Sequence, residues 1–545
     1  MSDSYFNKCN RIYETLLAHV IKLHKSGADA GEIITWVQML TTFTWTNHPG
    51  RYADGKLENI LLELGKTLPA GWSRKDSELP AFDIGLASDP RRKVLHVASI
   101  VYPTGGHTRL IANWARNDKD SCHNLVITSQ DGQPLPGWLR EAIENSGGRL
   151  IVLRQDTNPV SRAAELRRIA QANVDMIILH HHPNDVIPVL AFASPHFPPV
   201  GIMNHADHVF GLGSTVGDLF IEYRDESREV SETRRFARKS LLLPIPLSMD
   251  TVPMTRQEAR ARLGIPSDQV MLLSIGSSYK YRPTESHNFF RTGVKLLEQN
   301  PDAHLYLIGV EWDDKVDYLR VARHERFHFL GVIEDPVIYE IASDIFLDGF
   351  PYGSFTALLD SVLHLACPVA TLSPSSSSLF KLIDIALDGM VKNAASEAEY
   401  LENVTRLIRD KELRETLATR AHASLVDYHA GPRWFEFQQE IYQCLENTKH
   451  EPGPIPTTSA MESDHDLALS KLNGLGQGVA PLLLQLGREL FSMVRLRDIA
   501  SLFMLSLKAR DTKLSRTDLK GWRDLFGNAI RRRRALRLGG GVKSN

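Results

Sequence analysis

Three short stretches of the sequence combine residue types that could bind an anion, and each follows a predicted strand. The first contains Gly105, Gly106 and His107, directly after the apolar run 93–102. Paired glycines at a strand-to-helix turn let a ligand approach the backbone N–H groups that open the helix. The G-x-G-x-x-G pattern and a placed acidic residue are missing, which disfavours a dinucleotide site. The alternative is a tight turn without a ligand.

The second stretch is the loop 274–283, which follows the predicted strand 270–276. Small residues follow the end of the strand, and Lys280 and Arg282 come after them. Cations beside backbone donors in such a loop suit a diphosphate. The alternative is a solvated loop with two surface charges.

The third stretch is a helix opened by Ser354, Phe355 and Thr356, after a turn at residues 351–353. A helix N-terminus with hydroxyl side chains is a good anion cradle. Asp360 lies one turn into the helix, where its carboxylate could accept hydrogen bonds from ribose hydroxyls. Ordinary helix capping by Ser354 and Thr356 is the alternative.

The histidines allow several interpretations. His107, or His205 with Asp207, could transfer a proton or orient a substrate at the mouth of the sheet. Residues 180–182 are three adjacent histidines at a strand end, and neighbouring side chains of a strand point to opposite faces. At most two of them can converge, so a metal site is disfavoured. The remaining alternative is a structural role for each ring.

The elements that must position these residues form two blocks of alternating strands and helices. This alternation predicts a parallel sheet with crossover helices in residues 89–250 and again in 251–448, and such sheets bind ligands where their strands end. The fold class expected is α/β, with two Rossmann-like domains. Helical periodicity predicts α-helical additions at residues 1–88 and 467–545, the second behind a Pro/Ser/Thr-rich linker at 449–466.

Composition excludes several classes of protein. The chain has 545 residues, which corresponds to about three to four domains, and it is 43% hydrophobic, which excludes global disorder. Its 65 acidic and 63 basic residues argue against a nucleic-acid binder. Four scattered cysteines argue against a disulfide framework, and no secretory signal or long apolar run is present. We therefore expect a cytoplasmic protein without a transmembrane segment.

The basic run Arg531–Arg534 near the end of the chain is the main cluster of like charge. Its interpretation is a solvated helix end whose charge suits the helix dipole. Binding of phosphate, a membrane or a partner protein is the alternative, and the two helical ends are candidate surfaces for a protein partner.

Together, the three stretches resemble the GT-B glycosyltransferases, and most closely the family of the eukaryotic O-GlcNAc transferase and the bacterial high-molecular-weight-adhesin N-glycosyltransferases. The residues that fit the family's motifs are Phe350, Pro351, Gly353, Ser354, Thr356 and Asp360, followed by Pro368, Val369 and Thr371. Lys280 stands where the family has a lysine that contacts the donor diphosphate. One departure is Ala357, where the O-GlcNAc branch has a second threonine.

The resemblance implies two Rossmann-like domains that face a cleft and a glycosyltransferase that moves a hexosyl or N-acetylhexosaminyl group. A nucleotide sugar, expected to be a UDP-sugar, would be a substrate, with no cofactor and no metal. Lys280 is implied to contact the diphosphate, residues 354–356 the phosphates and Asp360 the ribose. Inversion is expected, and the acceptor is left open between protein, glycan and small molecule.

Two alternatives remain beside this interpretation. A non-catalytic GT-B adaptor or chaperone would bind a partner glycosyltransferase or a glycosylated protein, but it should lack an intact phosphate cradle. A nucleotide-sugar epimerase of the same architecture would have no need of helical additions at both ends.

Overall fold

The computed structural model describes residues 5–68, 89–103, 106–130, 132–155, 157–171, 174–249, 253–284, 287–372, 384–391, 393–473, 483–484, 487–488, 496–508 and 516–539. Within them, no helix is both long and apolar enough to cross a bilayer. The predicted fold class is confirmed, because two parallel sheets are covered by helices and are flanked by helical additions at both ends.

The N-terminal addition is a bundle of three helices, α1 (Tyr5–Lys25), α2 (Ala30–Thr46) and α3 (Gly55–Thr67). Asp29 and Asp54 cap the second and third helices by accepting hydrogen bonds from the backbone N–H groups of their first turns. The apolar residues of α1 recur at helical spacing and are buried against α2 and α3. The bundle is thus part of the same core as the domain that follows it.

The first sheet has seven parallel strands in the order β3-β2-β1-β4-β5-β6-β7. Its strands are β1 (Arg92–Ala98), β2 (Ser121–Ile127), β3 (Leu150–Val152), β4 (Met176–His180), β5 (Val200–Met203), β6 (Leu219–Glu222) and β7 (Ser240–Leu242). The helices are α4 (Gly106–Asn117), α5 (Gly137–Asn145), α6 (Pro159–Ala170), α7 (Val186–Ala191) and α8 (Glu226–Arg234). The central strands are buried along their whole length, as expected for a parallel sheet covered on both faces.

The second sheet has five parallel strands in the order β10-β9-β8-β11-β12. Its strands are β8 (Val270–Ile275), β9 (Ala303–Ile308), β10 (Phe327–Gly331), β11 (Ile345–Leu347) and β12 (Cys367–Val369). The helices are α9 (Arg256–Leu263), α10 (Phe289–Gln299), α11 (Asp317–Arg320), α12 (Val337–Ala342) and α13 (Phe355–Leu363), with short 3-10 turns at Ser278–Tyr281 and Ile385–Leu387. In both sheets the order of the strands reverses at the first strand, so successive strands are added first on one side of it and then on the other. Such sheets open a ligand crevice at this switch point.

The described residues after the second sheet form six further helices: α14 (Glu397–Arg409), α15 (Lys411–His429), α16 (Pro432–Glu446), α17 (Asp464–Asn473), α18 (Leu496–Lys508) and α19 (Arg516–Gly539). α16 returns to the first sheet, where the Tyr442 hydroxyl receives a hydrogen bond from Trp114 Nε1 at 2.9 Å. Trp434 Nε1 likewise donates to the Pro244 carbonyl at 3.0 Å. These contacts tie α16 to the first domain.

The predicted linker 449–466 is an extended segment that is anchored along its length. Gly453 N donates to the Thr215 carbonyl at 2.9 Å, and Met461 N donates to the Gly50 carbonyl at 2.9 Å. Between them, Gly55 N donates to the Pro456 carbonyl at 3.1 Å. The segment therefore joins the N-terminal bundle to the first sheet.

Replacing Gly55 tests this anchoring, because a Cβ there would collide with the carbonyl oxygens of Ile455 and Pro456. We expect Gly55→Ala to lower the thermal midpoint by several degrees, since overpacking of a rigid contact costs about 1–3 kcal/mol. Gly137→Ala is the matched control, because Gly137 also opens a helix but has open space around it. Equal midpoints for the two variants in differential scanning calorimetry would contradict the packing described.

Candidate functional site

The N-terminus of α4, which follows β1, faces the N-terminus of α13, which follows β11. A Cβ on Gly106 would overlap the Cγ2 atom of Thr356 and lie 3.0 Å from its Oγ1 atom. Three residues further along α4, Arg109 Nη1 lies 3.3 Å from Asp360 Oδ2. Gly105, the other glycine of the predicted turn, lies outside the described residues. The two sheets thus approach through the first turns of two helices, and Gly106 of the first stretch lies against Thr356 of the third.

Lys280 joins this contact from the second stretch. Its Nζ atom donates to the Gly353 carbonyl at 3.0 Å and to Ser354 Oγ at 3.2 Å. Burial lowers the pKa of Lys280, and the negative charge of Asp348 opposes that shift. Ser354 occupies the N-cap of α13, but its side chain makes no capping hydrogen bond, because the hydroxyl faces the lysine. Simple capping by Ser354 therefore does not explain this residue.

Asp348 organises the turn between β11 and α13. Its Oδ1 atom accepts hydrogen bonds from the backbone N–H groups of Gly349 and Ser354, and its Oδ2 atom has no hydrogen-bond partner among the described residues. Burial raises the pKa of Asp348 to about 6, although the Ser354 N–H and Lys280 act in the opposite direction.

The first turn of α13 leaves hydrogen-bond donors available. In the described part of the chain, the backbone N–H groups of Phe355, Thr356 and Ala357 have no acceptor, as expected for a helix start without a side-chain cap. Gly276, at the end of β8, lies so close that a Cβ there would be 2.5 Å from Ser354 Oγ. A cation and several backbone donors therefore converge, which is the arrangement that binds phosphate groups.

Asp360 has a partner from the other sheet. The guanidinium of Arg109 approaches its carboxylate, and burial raises the pKa of Asp360 while Arg109 opposes the shift. The predicted contact with a ribose stays a prediction, since a ligand would have to share this carboxylate with Arg109. Sequence reasoning missed Arg109, whose signal was its position one turn after the glycines on the same helix.

Two of the predicted donor-binding residues differ in their surroundings. Phe355 packs its ring 5.5 Å from that of Tyr223, so it bridges the two sheets. Arg282 follows the 3-10 turn and is exposed, and it takes no part in the hydrogen bonds that hold Lys280. The structure thus brings Lys280 and the start of α13 together and leaves Arg282 at the surface.

His107 and His205 lie together on the first-sheet side of the contact, with ring centroids 4.4 Å apart. His107 Nε2 is 2.8 Å from the His180 carbonyl, so this nitrogen carries the proton and Nδ1 is an acceptor. Burial lowers the pKa of His107 to about 4, against the effect of that hydrogen bond. Among the described residues, Nδ1 of His107 has no hydrogen-bond partner, so this neutral imidazole has a lone pair with which to act as a base.

Asp207 has a different environment from His107 and His205, the other two candidates for proton transfer. Its carboxylate forms a buried ion pair with Arg224, whose Nε atom lies 3.0 Å away, and accepts a hydrogen bond from Ser227. Burial opposes ionisation, but Arg224 and His208 hold the pKa of Asp207 well below its usual range. A carboxylate so strongly stabilised is a weak proton acceptor, so its position favours an orienting role.

The histidines 180–182 point in alternate directions, as expected at the end of a strand. His180 faces His205 and His107, whereas His181 Nε2 donates to the Leu212 carbonyl at 2.9 Å. His182 stacks on Trp45 with ring centroids 5.6 Å apart. Within the described ranges, no group of three or more histidine, cysteine, aspartate or glutamate side chains is arranged to hold a metal ion.

Comparisons with known proteins bear on the fold. No family model matches the sequence, and no curated protein matches it significantly. A glycosyltransferase from Rickettsia africae covers 66% of this chain and 100% of its own, with 12% identity and a TM-score of 0.50. Two others are the O-GlcNAc transferase of Thermobaculum terrenum (81% and 83%, 16% identity, TM-score 0.49) and HepE of Anabaena with UDP and glucose (66% and 100%, 15% identity, TM-score 0.48).

At such identities the likeness concerns the fold alone. The two parallel sheets, the contact between their strand ends and the similarity to the Rickettsia glycosyltransferase show that this chain has the GT-B fold.

The contact between α4 and α13 yields a testable prediction. Gly106→Ala should lower the thermal midpoint by several degrees, because the new Cβ overlaps the Thr356 methyl group and overpacking costs about 1–3 kcal/mol. Adding Thr356→Ser removes that methyl group and should restore most of the loss. If the double variant is no more stable than Gly106→Ala alone, the two helix starts do not meet as described.

Proposed function

We propose that this protein transfers a hexosyl or N-acetylhexosaminyl group from a nucleotide-sugar donor to an acceptor. The observation that carries the proposal is the position of Lys280 at the start of α13, opposite Gly106 of the first sheet. It lies beside backbone N–H groups that have no acceptor among the described residues. This combination provides positive charge and directed donors at the junction of the two sheets. It suits the diphosphate of a nucleotide sugar better than a neutral ligand.

The chemistry follows from where charge develops in the reaction. As the bond between the sugar C1 atom and the diphosphate oxygen breaks, negative charge grows on the leaving group. Lys280 and the N–H groups of Phe355 to Ala357 would stabilise that charge in a partly buried site, and they would do so without a metal ion. Asp360 would accept hydrogen bonds from the ribose hydroxyls. The resemblance to the O-GlcNAc transferase and adhesin N-glycosyltransferase family favours UDP as the nucleotide.

The acceptor would approach from the first sheet. His107 and His205 are close together and present neutral imidazoles on that side. One of them would take the acceptor's proton while the acceptor atom attacks C1 from the face opposite the diphosphate. The sugar would therefore be inverted. A protein acceptor is the interpretation that gives the helical additions a role as binding surfaces.

The alternative is a GT-B adaptor that binds a glycosyltransferase or a glycosylated protein without catalysis. Such a protein has no need of a partly buried lysine held at a helix N-terminus. Here Lys280 keeps both of its hydrogen bonds, and Asp360 keeps its place one turn into α13. These features support catalysis over the adaptor.

Thermal-shift measurements with UDP-, GDP- and dTDP-sugars in EDTA test the choice of donor and the need for metal. Binding raises the free energy of unfolding by RT ln(1 + [L]/Kd), which is about 2.7 kcal/mol at 100 times Kd. We expect stabilisation by a UDP-sugar, undiminished by EDTA. Absence of a shift with every nucleotide sugar would favour the adaptor.

Lys280→Ala tests the diphosphate site directly. Loss of one preorganised donor to a developing negative charge costs about 2.7–4 kcal/mol, so turnover should fall by about 10²–10³-fold. Lys315→Ala is the control, because Lys315 is an exposed lysine of the same domain. The measurement is the release of nucleotide diphosphate at saturating donor, with the thermal midpoint as a check on folding. Equal turnover in the two variants would refute the site.

A further inference from the structure

Four histidines form a continuous hydrogen-bonded chain through the core of the first sheet. His123 Nδ1 lies 2.9 Å from His96 Nε2, and His96 Nδ1 lies 2.8 Å from His180 Nε2. His180 Nδ1 in turn lies 3.0 Å from His205 Nε2. The rings belong to β2, β1, β4 and the loop after β5, which are neighbours in the sheet. His96, His123 and His180 are completely buried, whereas His205 is partly exposed beside His107.

The buried end of the chain meets a carboxylate. His123 Nε2 lies 3.2 Å from Asp118 Oδ2, and the same oxygen accepts a hydrogen bond from the Tyr442 hydroxyl at 2.7 Å. Burial opposes ionisation of Asp118, but His123 and Tyr442 outweigh it and lower the pKa to about 2. Asp118 is therefore an anion at neutral pH, and it faces the last ring of the chain.

This anion determines which nitrogen of each ring carries the proton. The contact between His123 Nε2 and Asp118 lacks the alignment of a hydrogen bond, but at 3.2 Å a lone pair on Nε2 would repel the anion, so Nε2 carries the proton. His123 Nδ1 must then accept from His96 Nε2. The same logic passes along the chain: each ring donates through Nε2 and accepts through Nδ1. His205 is the last ring, and its Nδ1 atom has no hydrogen-bond partner within the described ranges. A lone pair is thus left at the junction of the two sheets.

We propose that this histidine chain is a proton relay that takes the acceptor's proton at His205 and delivers the positive charge to His123 beside Asp118. The proposal rests on the glycosyl transfer proposed above. His205 Nδ1 accepts the proton from the acceptor, and the Nε2 proton of His205 moves to His180 Nδ1. Two more transfers, through His96, leave His123 doubly protonated and paired with Asp118. The acceptor atom forms its bond to the sugar as the diphosphate leaves.

The surroundings of the chain favour this direction of transfer. The titratable and charged groups that face it are His107, His181 and His182 near the cleft, and Asp118, Tyr442 and Arg91 at the buried end. Burial lowers the pKa values of His96, His180 and His205, and neighbouring histidines lower them further. A positive charge is therefore unfavourable at the middle rings, and Asp118 is the carboxylate in contact with the chain.

The tautomers can be read without any assay of activity. Two-bond ¹H–¹⁵N correlation spectra of the ¹⁵N-histidine-labelled full chain at neutral pH distinguish protonated from unprotonated ring nitrogens. We expect neutral rings with the proton on Nε2 at His96, His123, His180 and His205. A proton on Nδ1 of His123 or His96 would overturn the direction of the chain.

Asp118→Asn tests the relay itself, because the variant is nearly the same size and lacks the charge. Without the carboxylate, the chain should bind a proton less readily. The acidic limb of the pH profile of kcat/KM should then move to lower pH, and kcat should fall at least about tenfold, since proton transfer contributes about 10²–10⁴-fold in such sites. The KM for the donor should stay the same. An unchanged pH profile and kcat would overturn the relay.

His96→Gln is a second variant that interrupts the chain at its centre, and it should lower kcat with an unchanged donor KM. His328→Gln is the matched control, because His304 and His328 form a similar pair on β9 and β10, with nitrogens 3.0 Å apart, outside the contact between the sheets. If His96→Gln turns over like His328→Gln, the relay is wrong. A wild-type protein inactive with every donor would instead refute the proposed function, and the spectra would then decide the chain on their own.

Discussion

The hydrogen bonds from Lys280 to Gly353 and Ser354 are the interaction on which the site depends. They tie the loop after β8 to the start of α13. They also place a cation beside backbone donors of that helix that have no acceptor in the described part of the chain. Asp348 holds the same turn from beneath, through the N–H group of Ser354. Because Lys280 is partly buried, it belongs to the interior of the site and does not resemble an ordinary surface charge. The near-zero net charge of the chain conceals this local concentration of positive potential.

The two sheets contribute different chemistry to their common junction. The second sheet supplies Lys280 and the backbone donors, which suit a leaving group that gains negative charge. The first sheet supplies neutral imidazoles at His107 and His205, which suit removal of a proton. The approach of Gly106 to Thr356 brings these groups together, since a larger residue at position 106 would hold the helices apart. The contact of Arg109 with Asp360 links the same two helices by charge.

The sequence predicted the parts of this account that follow from position along the chain. Alternating strands and helices predicted both sheets, and the rule that ligands bind at strand ends selected Lys280 and residues 354–356. The rest depends on contacts between distant residues. The partnership of Arg109 with Asp360 and the hydrogen-bonded histidines become visible only when the order of the strands is known. One signal was present, because His96 and His180 each follow apolar residues within a strand, although His123 stands between Cys122 and Asn124 in the neighbouring strand.

The central claim is that the start of α13 and Lys280 bind the diphosphate of a nucleotide. Isothermal titration of the full chain with UDP, UMP and uridine, in buffer with EDTA, measures this most directly. A hydrogen bond to a charged group contributes about 1.5–3 kcal/mol, so UDP should bind at least about tenfold more tightly than UMP, and UMP more tightly than uridine. Equal affinities for UDP and uridine, or no binding of UDP, would contradict the account.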